Sequence, residues 1–275
     1  MEPVGVLNEL QPELANEWAV EVCEVQPPAA RAHCPETYLN VVPVEFETDL
    51  AALKEKLLVM AGYAEAAVNR SVKALIRRDD DLARRTREED DLIDALELEI
   101  DSLALRLLAC RPRPLELRLI AMAMKISNNL ERVGDEATTI SRRVIALGSE
   151  PLLQQASEIP RMAALALQML KEALDAFVHG EPARARGIVP RDKVVDEMNG
   201  RLHRELAALM AERPSAITRC LNLMVMCKSL ERIADHATNI AEEVVYLYEG
   251  HDIRHLDPDP AADANALKSA PAGPA

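Results

Sequence analysis

The feature that most constrains this chain is an internal repeat. Residues 130–138 read LERVGDEAT, and residues 230–238 read LERIADHAT. The same register extends outside the motif, since Pro114 and Pro214 each stand seventeen residues before the Glu of their motif. A period of this length indicates two copies of one supersecondary unit. We therefore expect two structural units of about 100 residues each.

The composition favours helices over strands. Aromatic residues make up only 3% of the chain and glycine only 9 of its 275 residues, whereas Ala, Leu, Glu and Arg abound. These are strong helix formers, and aliphatic side chains can pack long helices without aromatic residues. We predict an all-α fold of two tandem, internally repeated three-helix bundles, in which short connections make neighbouring helices antiparallel.

Apolar spacing and helix-ending residues divide the repeats into helices. In the first half, a helix begins at Phe46, a second continuous helix follows an N-cap in the run of Asp at 79–81, and Pro114 begins a third that ends at Gly148. The second half repeats this plan. Its helices are predicted over 159–178, from about 183 to 210, and from 214 to Gly250.

The two ends of the chain differ from the middle. Residues 1–44 hold six of the seventeen prolines and no sustained periodicity, and residues 251–275 are rich in Asp, Pro and Ala. Such segments have little apolar surface to bury. We expect residues 1–44 to be a flexible extension, or the product of a start site placed too early, and residues 251–275 to be disordered. The two bundles then span 45–149 and 150–250.

Several function classes are disfavoured. The net charge is -14, and no basic stripe interleaved with aromatic residues is present, so nucleic acid is not expected as a partner. No apolar run approaches eighteen residues, and the five scattered cysteines are typical of reduced thiols, so we expect a cytoplasmic protein. Because no phosphate loop, nucleophile elbow or catalytic Cys/His arrangement occurs, we expect no enzyme activity.

Acidic residues recur four positions apart at two places in each repeat. This spacing puts both carboxylates of a pair on one face of a helix. Because the second and third helices of a bundle are neighbours, each half can present four carboxylates on facing helices. The candidate metal ligands are Asp90, Asp94, Glu131 and Asp135 in the first half, and Asp192, Asp196, Glu231 and Asp235 in the second.

The repulsion among these like charges must be offset by protonation, by the flanking Arg132 and Arg232, or by a bound cation. Hard oxygen ligands favour Mg, Mn, Ca or Fe, as divalent or trivalent ions. Metal binding is therefore our preferred interpretation. Since Asp and Glu together make up 46 of 275 residues, acidic pairs also arise by chance, and solvated acidic faces with Arg partners stay the alternative.

The two repeats differ at position 136 and at positions 142–143. His236 replaces Glu136, and we expect it to be hydrogen-bonded or exposed rather than a metal ligand. Two arginines at 142–143 correspond to two glutamates at 242–243, and solvated helix faces explain both pairs.

The motifs resemble the two signature helices of the PhoU family, the regulators of phosphate-specific transport. The resemblance rests on LERVGD at 130–135, on LERIADHATNIAEEV at 230–244, and on YLYEG at 246–250. It extends to LKEKLL at 53–58 and to LALRLLA at 103–109, and it spans the whole predicted fold, from about 45 to 250.

The resemblance implies a tandem pair of three-helix bundles that is often dimeric. In some members the acidic motifs bind metal clusters, which here would use the eight carboxylates named above. It also implies a non-catalytic, cytoplasmic negative regulator of the phosphate-starvation response. Such a regulator connects the ATPase subunit of a phosphate ABC transporter to a membrane sensor histidine kinase, and reaches the membrane only through these partners.

Three departures from the family pattern stand out. Asn129 occupies a position where the family commonly has Asp, which removes a possible ligand from the first site. Ala234 replaces the usual Gly of the second motif, and the 44-residue extension has no counterpart. Two other functions stay open: a metal-dependent enzyme that uses the carboxylate clusters, and a metal-free dimeric helical scaffold.

Overall fold

A computed structural model describes residues 45–148 and 150–254, all of which belong to one compact unit, Pro43–Ala275. Within these ranges the regular secondary structure is helical throughout. The expectations for residues 1–44, including Cys23 and Cys34, and for the tail beyond residue 254 lie outside the described residues.

The first half contains four helices: α1 (Phe46–Arg77), α2 (Asp80–Glu88), α3 (Asp91–Ala109) and α4 (Pro114–Leu147). The predicted N-cap is confirmed, because the Asp79 carboxylate accepts a hydrogen bond from the Leu82 amide at 2.8 Å. Pro114 occupies the first turn of α4, where its missing N–H has no helical partner to lose. Gly148 ends α4 with a positive φ of 51°.

The second half follows the same order, with α5 (Ile159–His179), α6 (Pro182–Arg186), α7 (Asp192–Glu212) and α8 (Ile217–Glu249). Short 3₁₀ turns precede α5, α7 and α8. Gly250 ends α8 in the left-handed conformation, as the sequence predicts.

The prediction of one continuous middle helix is wrong in both halves. In the first half the break falls at Glu89 and Asp90, within a run of four acidic residues that repel one another. In the second half, Gly187 lowers helix propensity and Pro190 lacks the amide that a continuous helix needs. Both breaks place an Asp, Asp90 or Asp192, at the start of the following helix, where the helix dipole favours a negative charge.

The two halves share one apolar core. In each half the broken middle element packs with two long helices, which confirms the predicted fold class of tandem three-helix bundles. The long helices α4 and α8 also pack against each other, and buried residues of both halves form a single apolar cluster. None of the described helices combines the length and apolar character needed to cross a membrane.

Candidate metal centre

The first carboxylate cluster forms where α3 packs on α4, with the four predicted side chains in electrostatic contact. Burial first, and then the charges of Asp94 and Asp135, raise the pKa of Asp90 to about 6. Burial and Asp135 likewise raise the pKa of Glu131 to about 7. The pKa of Asp94 is also raised, by burial and then by Asp135. The structure therefore brings these four carboxylates together.

The second cluster forms at the matching contact of α7 with α8. Burial first, and then charge repulsion from Asp235, Asp196 and Glu231, raise the pKa of Asp192 to about 7. The pKa of Asp235 is raised to about 6, by burial and then by Glu231. Both copies of the repeat thus concentrate negative charge that has partly lost contact with water.

Basic side chains offset this charge differently in the two clusters. Arg132 lies 3.2 Å from Glu131 and 3.3 Å from Asp135, so the first cluster has its predicted flanking partner. Arg232 does not pair in the same way, because it reaches across to Glu136 of α4 at 3.0 Å. Lys228, one turn before Glu231, pairs with that carboxylate instead.

The donor atoms of both clusters suit a hard cation. Among the described residues of the clusters, Oδ1 of Asp192 is buried without a hydrogen-bond partner, whereas the buried oxygens of Glu131 and Glu231 form ion pairs with Arg132 and Lys228. The buried Asp192 oxygen favours a positive ligand, because an unpaired buried carboxylate is costly. As the side chains stand, no group of three or more His, Cys, Asp or Glu in the described ranges is arranged to hold a metal ion. Coordination would therefore need the carboxylates to rotate toward one another, and metal binding stays a prediction.

The close approach of α3 and α4 depends on Gly134. A Cβ atom at this position would stand 2.8 Å from Oδ1 of Asp90 and 2.8 Å from Cδ1 of Ile93. In the second repeat Ala234 is fully buried, and the equivalent of Ile93 is the shorter Val195. Val195 is one methyl group smaller than Ile93, and this difference matches the methyl group that Ala234 adds.

Polar contacts between α4 and α8 lie between the two clusters. Asn129 Oδ1 accepts hydrogen bonds from His236 Nδ1 at 3.0 Å and from Asn239 Nδ2 at 3.3 Å. The expectation of a hydrogen-bonded His236 is confirmed. The Asn129 side chain bonds residues of α8, and its interpretation as a lost metal ligand stays a prediction. Sequence reasoning missed these contacts, since they join residues that are more than 100 positions apart.

The paired glutamates at 242–243 do not form the predicted solvated face. Glu243 is only 7% exposed, and its carboxylate pairs with Lys125 of α4 at 3.0 Å. The corresponding arginines, Arg142 and Arg143, are exposed as expected. The two repeats differ here because Lys125 of α4 and Arg254, which lies 3.5 Å from the carboxylate, both pair with Glu243.

Comparison with known proteins agrees with this duplicated architecture. The family model described as "PhoU domain" matches the chain twice, over residues 57–144 and 159–244. The chain belongs to the PhoU family. The two matches of this PhoU-family chain lie within the first and second halves, and each ends on the long helix that carries the Leu-Glu-Arg motif.

Curated relatives and solved structures cover most of the helical part. A "Phosphate-specific transport system accessory protein PhoU homolog" of Pseudomonas aeruginosa is 42% identical over 214 residues, 77% of this chain and 88% of the relative. The Caulobacter vibrioides homolog is 38% identical, over 76% of this chain and 92% of its own length.

Two crystal structures share the fold. PhoU from Pseudomonas aeruginosa superposes with a TM-score of 0.73 at 41% identity, over 75% of this chain and all of that one. The phosphate transport system regulatory protein PhoU from Streptococcus pneumoniae superposes with a TM-score of 0.72 at 27% identity, over 76% of this chain and 99% of that one.

Proposed function

We propose that this chain regulates phosphate transport and represses the phosphate-starvation response. The observation that carries the proposal is the double match to the PhoU domain, which spans nearly the whole helical part of the chain. The names of the curated relatives, accessory proteins of phosphate-specific transport systems, support the same role. An accessory role needs binding surfaces rather than a reaction centre, which favours a non-catalytic protein.

The proposed partners are those of a signalling connection at the cytoplasmic face of a membrane. The chain acts as a homodimer, contacts the ATPase subunit of a phosphate ABC transporter, and conveys the transporter's state to a sensor histidine kinase. The packing of α4 against α8 supports this role, because the two halves share one apolar core. A partner bound to one half can then alter the packing of the other.

Deletion of the gene tests the regulatory role. In cells grown in high phosphate, the deletion strain should express a phosphate-starvation reporter that the parent keeps silent, and its phosphate uptake should change. Expression of the full chain from a plasmid should restore silence. A reporter that stays silent in the deletion strain, with unchanged uptake, would remove the proposal.

We propose further that each carboxylate cluster binds a hard cation. Asp90, Asp94, Glu131 and Asp135 would hold one, and Asp192, Asp196, Glu231 and Asp235 would hold the other. When bound, the cation would supply positive charge that offsets the repulsion among these groups. The support comes from burial and, after it, mutual charge repulsion, which raise the pKa values of Asp90, Glu131 and Asp192, and from the buried Oδ1 of Asp192, which has no hydrogen-bond partner among the described residues.

Elemental analysis of the purified full chain tests the metal proposal. We expect bound Mg, Mn, Ca or Fe in the wild type, and its loss in the double variant Asp135→Asn with Asp235→Asn. The matched control is Glu55→Gln with Glu65→Gln, which neutralises two exposed carboxylates of α1 and should retain the metal. Equal metal content in all three proteins would count against these sites.

A further inference from the structure

The outer face of α3 carries a line of apolar and small residues at heptad spacing. We call this line the α3 seam: Ala95, Leu98, Ser102, Leu105 and Ala109. Successive members stand three and four residues apart, which keeps them on one side of the helix. Leu98 is 70% exposed and Leu105 is 61% exposed, although each is a large apolar side chain.

The fold itself does not require this seam. The equivalent positions on α7 include Glu197, Gly200 and Arg204, which are polar or lack a side chain. A single exposed leucine is ordinary on a protein surface. Two of them at heptad spacing, in line with small residues, form the pattern by which one helix packs against another.

We propose that the α3 seam packs antiparallel against the α3 seam of a second copy of this chain. The inference rests on the homodimer of the proposed function and locates its interface. With Ser102 opposite Leu105 of the second copy, Leu98 comes opposite Ala109 of that copy. Each leucine then meets a small residue. A shallow groove of about 340 Å³, lined by Lys56, Leu98 and Ser102 among others, lies beside the seam and offers space for an incoming leucine.

The charged residues that flank the seam favour the same register. Within its own chain, Glu99 pairs with Lys56 of α1 at 2.6 Å. In the dimer, Glu99 also comes beside Arg106 of the second copy, and the two-fold symmetry makes this second pair occur twice. The neighbouring antiparallel register, with Leu98 opposite Ser102 of the second copy, brings the two Glu99 side chains together, and like charges repel. Complementary size and charge therefore point to one arrangement.

The expected dimer is reversible. A helix of 19 residues is about 28 Å long, so one such pair buries less than the roughly 1,600 Å² of a standard stable interface. We expect a dissociation constant in the micromolar range, on the order of 1 to 100 µM. Dimerisation should then be visible as a concentration dependence of the mass in solution.

Analytical ultracentrifugation of the full chain tests the interface. The double variant Leu98→Glu with Leu105→Glu should be monomeric at concentrations where the wild type is dimeric. The matched control, Leu115→Glu with Leu117→Glu, changes two exposed leucines at the start of α4 and should dimerise like the wild type. Circular dichroism should show the same helix content in all three proteins.

A charge exchange tests the register without altering the apolar seam. With Lys56→Gln present throughout, to remove the partner of Glu99 in its own chain, Arg106→Glu places like charges together and should weaken the dimer at least about tenfold, whereas Glu99→Arg combined with Arg106→Glu should restore it. A wild type that stays monomeric throughout would overturn both the homodimer and the interface. A wild-type dimer that survives Leu98→Glu with Leu105→Glu, or a charge exchange that fails to restore association, would overturn the interface alone.

Discussion

Individual carboxylates of the two clusters should lower the free energy of unfolding of the metal-free protein at neutral pH and above. The pKa of Asp192 is raised to about 7, whereas the pKa of an unfolded Asp is about 3.9. Between these values the folded state holds a proton that the unfolded state has lost. The contribution of Asp192 to the free energy of unfolding therefore falls as the pH rises from about 4 to about 7.

Asp192→Asn should consequently stabilise the metal-free protein, and more at pH 8 than at pH 5, because the amide carries no charge at either pH. Thermal unfolding in the presence of a chelator measures this difference. Glu65→Gln, an exposed substitution on α1, serves as the control and should shift the melting temperature little at both values. A melting temperature that Asp192→Asn lowers at pH 8 would contradict the electrostatic account of the cluster.

Between elements, the distance from α3 to α4 depends on the volume of the side chains at their contact. The pairing of Gly134 with Ile93, and the corresponding pairing of Ala234 with Val195, suggests that each repeat holds a similar total volume there. Interiors are packed closely enough for one methyl group to matter.

Gly134→Ala should destabilise the protein by about 1 kcal/mol, because overpacking of roughly 1 to 3 kcal/mol exceeds the helix-propensity gain of about 1 kcal/mol. Adding Ile93→Val should recover most of this loss, since it removes the methyl group that the new Cβ meets. Denaturant unfolding of the wild type, both single variants and the double variant measures the coupling. Strictly additive effects would show that this contact does not set the spacing of the helices.

In the whole molecule, the two repeats should unfold as one cooperative unit. Their buried residues form one apolar cluster, and α4 and α8 join the halves along their length. A shared core leaves neither half with a complete set of packing partners when the other opens.

Leu57→Ala, which truncates a fully buried side chain of α1, should lower the stability of both halves by a similar amount, about 2 to 5 kcal/mol. Native-state hydrogen exchange reports this as an equal loss of protection in the slowest amides of α4 and α7. Leu206→Ala on α7 is the reciprocal variant and should affect α4 in the same way. Loss of protection confined to the mutated half would mean that the repeats unfold separately.

The local pattern of the chain determined much of this structure. Helical periodicity and the glycines at 148 and 250 located the long helices, and the N-cap at Asp79 located the start of α2, because these signals act within a few residues. The repeat of acidic pairs after 100 and 102 residues predicted two clusters of four carboxylates, since the pairs lie on helices that are consecutive neighbours. The breaks before α3 and α7 were missed, because competing local signals differ there by only a few tenths to about 1 kcal/mol.

Only the tertiary structure decided how the two repeats meet. The contact of Asn129 with His236 and the burial of Glu243 depend on how α4 and α8 are rotated about their own axes. The packing of α3 against α1 and α4 decides which face of α3 is left open, with Leu98 and Leu105 on it. Periodicity specifies which residues share a face of a helix. Which partner covers that face depends on contacts between residues about 100 positions apart, where no local signal acts.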